Sequence, residues 1–128
     1  MRIEAAITSA MLRVILGLVM IEHGLMKLIG FPASAPGVPS PLPTLLLVGA
    51  LLETVLGAFL TIGLFTRVAA FVLSGEMAVA YFMVHAPASF WPAVNGGELA
   101  AVLSFALLAI AGRGPDRYTL DAFRTRER

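Results

Sequence analysis

No cysteine occurs in the 128 residues, which excludes disulfides, thiolate metal sites and thiol redox chemistry within this chain. Charge is almost as scarce: Asp, Glu, Lys and Arg make up 13% of the residues against 59% hydrophobic ones. A soluble domain of this size could not hide so much apolar surface, so the composition predicts an integral membrane protein in a lipid bilayer. The length suits one domain, no internal repeat is convincing, and no nucleic-acid partner is expected. The first apolar run is too long for a signal-peptide core and lacks an obvious cleavage site, so it is expected to stay as a mature helix.

Four apolar runs predict an all-α, four-helix integral membrane bundle, with helices at about 5–29, 43–65, 67–86 and 95–112 in a domain over 1–112. Pro43 suits a helix entry, Gly63 a helix end and Thr66 an N-cap, while Pro87 stops the third run. Two Pro-rich, nearly uncharged loops separate the first run from the second and the third from the fourth. The tail, 113–128, is Arg-rich, and Leu120 and Phe123 suggest a short helix lying on the membrane surface. With four spans, the side holding both termini and the Thr66 turn collects Arg2, Arg67, Arg113, Arg117, Arg124, Arg126 and Arg128, and the other side only Lys27. The termini and the tail are therefore expected in the cytoplasm, in a bacterial-type inner membrane crossed several times.

What charge there is sits where lipid should forbid it. On the first run Arg13, Gly17, Met20, Gly24 and Lys27 share one face. On the second, Gly49, Glu53, Gly57 and Thr61 form a small-residue stripe with one carboxylate in it. Glu76 lies mid-depth on the third. Buried charges at such depth face other helices with a partner, so Arg13 is expected to pair with Glu53 or Glu76 as structural ion pairs. Glu22 falls on the opposite side of its helix from the Arg13 stripe and has no assigned role.

Nearer the outer surface lie His23, Lys27, His85, Asn95 and Glu98, with Phe90 and Trp91 at the interface. Asn95 and Glu98 have capping-box spacing, and Lys27 can snorkel to the surface. His23 and His85 are the candidate proton-exchange groups for a ligand head group, with Lys27, Glu98, Asn95, Trp91 and Phe90 as candidate ligand-binding residues. His and Met at loose spacing allow copper or haem in principle, but no motif supports either, and no metal site is assigned.

Leu12-Arg13 with Gly17, then His23-Gly24-Leu25-Met26-Lys27-Leu28, resembles the opening of the DoxX family of small four-helix membrane proteins. The Glu53/Gly57 pair, the Gly63 to Arg67 turn, Met77 and Ala80, and His85 to Glu98 agree in order and spacing. The closing Gly114 to Asp121 resembles the family's GPGRxSLD-type ending, with Asp116 where Gly is usual and Thr119 for Ser. The resemblance implies a membrane subunit of a quinone-linked oxidoreductase system, with a protein partner subunit or a second copy of itself. On that reading a quinone-like ligand binds between helices near the outer leaflet, and a cofactor supplies the electron chemistry. A non-enzymatic accessory or scaffold subunit and a small-solute, proton-coupled transporter are the alternatives, so enzymatic activity itself is left open.

Overall fold

The computed structural model describes residues 2–127 and is all-helical, with no strand among the described residues. Its helices are α1 (Ile3–Leu28), α2 (Thr44–Ile62), α3 (Thr66–Ala80), α4 (Pro92–Asn95), α5 (Glu98–Arg113) and α6 (Leu120–Arg126). A π-helical turn, Tyr81–His85, continues α3. Three helices are long and apolar enough to cross a membrane: α1, α2, and α3 extended to His85. At 16 residues α5 is shorter, about 24 Å at helical rise. Arg128, counted above among the arginines of one side, lies outside the described residues.

Two helix pairs make the molecule. α1 runs along α2, α3 runs along α5, and α2 against α3 joins the pairs. The first pair is close because glycine lets it be. A Cβ on Gly17 would fall 2.8 Å from the Gly57 carbonyl oxygen, and one on Gly57 would fall 2.9 Å from that of Gly17. Backbone thus meets backbone along the small-residue stripe, the usual means by which membrane helices gain contact without a hydrophobic drive. In the second pair Ser74 and Ser104 exchange bonds, each hydroxyl donating to the other's carbonyl at 2.7 and 3.0 Å. Leu16, Met20, Leu60, Leu73, Leu103, Leu107 and Ile110 fill the centre. Outward, Ile15, Val55, Phe71, Val102 and Phe105 are exposed, as acyl-chain contact requires.

The end of α2, the start of α5 and the cap of α3 differ from the sequence expectation, each for a local reason. α2 stops at Ile62 rather than Phe65 because Gly63 turns left-handed, and bonds Gly63 N–H to Leu60 and Leu64 N–H to Phe59 close the end. α5 starts at Glu98 rather than Asn95 because Gly96, also left-handed, separates it from the short α4. Thr66 is not the N-cap of α3. Phe65 is, in a left-handed conformation unfavourable for a side-chain-bearing residue, held by the tail.

The tail is no loose appendage. Asp121 accepts from Phe65 N–H at 2.9 Å and from the Thr66 N–H and hydroxyl at 2.8 Å each, capping α3 from 55 residues away. Its own N–H donates to the Gly63 carbonyl at 3.0 Å. Arg67 in turn donates to the Ala111 and Gly112 carbonyls at the end of α5. On Asp121, partial burial pushes the carboxyl up, but the Thr66 and Phe65 hydrogen bonds and nearby Arg124 outweigh it and hold the group below its ordinary 3.8. A carboxyl whose folded value is lowered contributes stability above its unfolded value and loses it as the pH falls through the folded one. The stability difference between wild type and Asp121→Asn is therefore expected to be constant at neutral pH and to shrink below about pH 4. Unfolding in detergent across that range measures it, and a difference independent of pH would exclude the cap's charge as its source.

Candidate functional site

Side chains on a helix lean toward its N-terminus. In the antiparallel pair, Lys27 therefore reaches back along α1 while Glu53 reaches toward the start of α2, and the two meet. Lys27 Nζ donates to both carboxylate oxygens of Glu53, at 2.7 and 2.6 Å. The Glu53 side chain is 2% exposed and that of Lys27 19%. Glu76 joins them from α3. Gly49 leaves space for its carboxyl, since a Cβ there would lie 2.9 Å from Glu76 Oε1. The other oxygen, Oε2, is buried and is the one buried side-chain polar atom without a partner among the described residues.

These three groups sit at a cleft between α2 and α3 with a volume of about 320 Å³. Its walls are Leu, Val, Ala and Met, and Leu45, Val48, Val79 and Met83 carry them out to the surface. Met83 and Val84 belong to the π-helical turn, which re-aims the end of α3. A head group with hydrogen-bonding atoms can lie on the charged floor while an apolar body lies between the walls.

The expected pairing of Arg13 with Glu53 or Glu76 is corrected. Arg13 leans toward the N-terminal end of α1, away from mid-depth, and its Nε donates to Asp116 Oδ2 at 2.8 Å. Its guanidinium also donates to the Leu60 and Thr61 carbonyls, where α2 ends, a favourable place for a cation. Glu53 takes Lys27 instead, so Lys27 is paired inward rather than extended to the surface.

The remaining expected residues do not line the cleft. His23 places Nδ1 2.8 Å from the Val19 carbonyl of its own helix. His85 places Nδ1 3.2 Å from the Asn95 carbonyl, turned that way by the π-helical winding. Asn95 organises the loop, donating to Tyr81 Oη and the Ser89 carbonyl and accepting from Gly97 N–H. Phe90 and Trp91 stack edge to face, centroids 5.1 Å apart, and are exposed. Glu98 is exposed and forms no capping box; Gly97 is the N-cap of α5, without a side-chain bond. Glu22 is exposed. Among the described residues no group of three or more His, Asp or Glu could hold a metal ion.

The roles of two residues escaped the sequence reading: Asp116 and Asp121, named only as parts of a motif in a tail read as separate. Gly49 was read as a packing residue, but it makes room for the Glu76 carboxyl. The Lys27–Glu53 pair had a signal: laid antiparallel, the two polar stripes put Gly24 beside Ala50 and Thr54, one turn from that pair.

The DoxX family profile matches residues 8–86. The chain belongs to the DoxX family. The matched stretch takes in Lys27, Glu53 and Glu76, whereas the DoxX match leaves α5 and the tail with Asp116 and Asp121 outside. An uncharacterized protein of Haemophilus influenzae is 41% identical over 119 residues, covering 88% of this chain and 87% of its own. No solved structure matches this DoxX chain.

Proposed function

We propose that this DoxX protein is a membrane subunit of a quinone-linked oxidoreductase system and binds a quinone-like ligand in the α2–α3 cleft. It crosses a bacterial-type inner membrane as a four-helix bundle with both termini in the cytoplasm. The Arg-rich end made by the tail and the α2–α3 turn then faces in, and the Lys27 end of α1 faces out. The observation that carries the reading is the floor of the cleft: a buried Glu53 carboxylate paired with Lys27, beside a buried Glu76 oxygen that has no partner. Buried polar groups without partners are costly and rare, which favours a ligand that completes this one.

A bound quinone supplies two-electron chemistry, with electrons delivered by a partner subunit. The chain's own groups bind and orient. Lys27 offers its remaining N–H to a ligand oxygen, Glu76 accepts or holds a proton, and Glu53 fixes Lys27 in place. The proton-exchange role expected of His23 and His85 passes to Glu76 on this reading, because both imidazoles face backbone carbonyls outside the cleft. The apolar walls exclude water and admit the ligand's body from the lipid phase.

A short-chain quinone added to protein in lipid nanodiscs is expected to raise the unfolding temperature. The gain is about 2.7 kcal/mol at a free concentration a hundredfold above Kd. Gly49→Ala sets a methyl group 2.9 Å from Glu76 Oε1 and so displaces the carboxyl, which should shrink the shift with little change in the ligand-free protein. Absence of any shift at saturating quinone would refute the reading.

A further inference from the structure

The floor of the cleft is rich in acceptors and poor in donors. Two carboxyl groups offer four oxygens, whereas the ammonium of Lys27 offers three N–H bonds and spends two on Glu53. No other charged or titratable side chain lines the cleft. Glu76 Oε2 is left without a donor among the described residues. Gly49 matters here because its missing side chain is what seats Glu76 at that point.

An oxidised quinone brings only carbonyl oxygens, which are acceptors; the reduced dihydroxy form brings two O–H donors. Against an acceptor-rich floor the two forms are not equivalent. We infer that the cleft takes the quinol form in preference to the quinone, with a hydroxyl of the head group donating to Glu76 Oε2. The inference rests on the reading of the cleft as a quinone site and adds which redox form it selects. A hydrogen bond that satisfies a buried acceptor otherwise left without a partner is worth enough for a discrimination of about tenfold or more to be expected from it. Tenfold tighter binding of the two-electron-reduced form raises the midpoint potential of the bound couple by about 30 mV.

Anaerobic titration of the full chain in nanodiscs with a short-chain benzoquinone and with its quinol tests this. Wild type should bind the quinol about tenfold or more tightly, and Glu76→Gln should erase or invert the order, because the amide places an N–H donor at the same point. Gly49→Ala should erase it independently by displacing the carboxyl. Equal affinities in wild type would overturn the preference and leave the quinone reading standing. A preference that survived both variants would remove Glu76 as the acceptor and overturn the inference. Binding of neither form would bring down the quinone reading and the inference with it.

Discussion

Arg13→Met is expected to destabilise the folded protein by about 3–5 kcal/mol, the usual consequence of breaking one side of a buried ion pair. Arg13 and Asp116 are each 3% exposed. Without the guanidinium, Asp116 keeps its bond from Tyr118 N–H at 2.8 Å but holds an uncompensated charge. The Leu60 and Thr61 carbonyls at the end of α2 lose their donor as well. Arg13→Lys should recover little, because an ammonium cannot span the carboxylate and two carbonyls as the planar fork does. Removing both charges, Arg13→Met with Asp116→Leu, should recover a large part of the loss. Reversible unfolding in detergent gives the four corners of the cycle, and a single-variant loss under about 1 kcal/mol would place the pair with weak surface bridges.

Lys27→Met should be comparably damaging and also eliminate ligand binding. Glu53 is 2% exposed and has no other cation beside it, so truncating Lys27 strands a carboxylate in the bundle. The converse change, Glu53→Gln, should cost less, because Lys27 is partly exposed and long enough to swing its ammonium outward to the surface. The double variant Lys27→Met/Glu53→Gln should regain most of the stability without regaining the quinone-dependent rise in unfolding temperature. That combination separates the pair's two roles. Restored stability together with restored ligand response would show that Lys27 only balances Glu53 and touches no ligand.

How Lys27 and Arg13 differ in legibility is instructive. Both were placed on one helix face from the spacing of Arg13, Gly17, Met20, Gly24 and Lys27, and the three interior residues of that face are buried. The partners were not so legible. Arg13 was expected to meet Glu53 or Glu76 across the centre, yet its side chain leans to the other end and meets Asp116, 103 residues away. A tail that reads as polar and charged gives no local sign that two of its aspartates fold back under the helices.

Composition and period alone determined that this chain is helical and built for lipid, since continuous apolar runs of about 20 residues fit membrane-spanning helices and not the short alternating strands of a barrel. They also determined which faces are polar, because the side-chain direction of a helix follows from its 3.6-residue turn. Which acid meets which base was decided only by the tertiary structure. Pairing depends on the vertical offset between antiparallel helices, which the Gly17–Gly57 contact sets, and on the lean of each side chain along its own axis. The packing of α3 on α2 likewise leaves Glu76 beside Gly49 with a buried oxygen that has no partner.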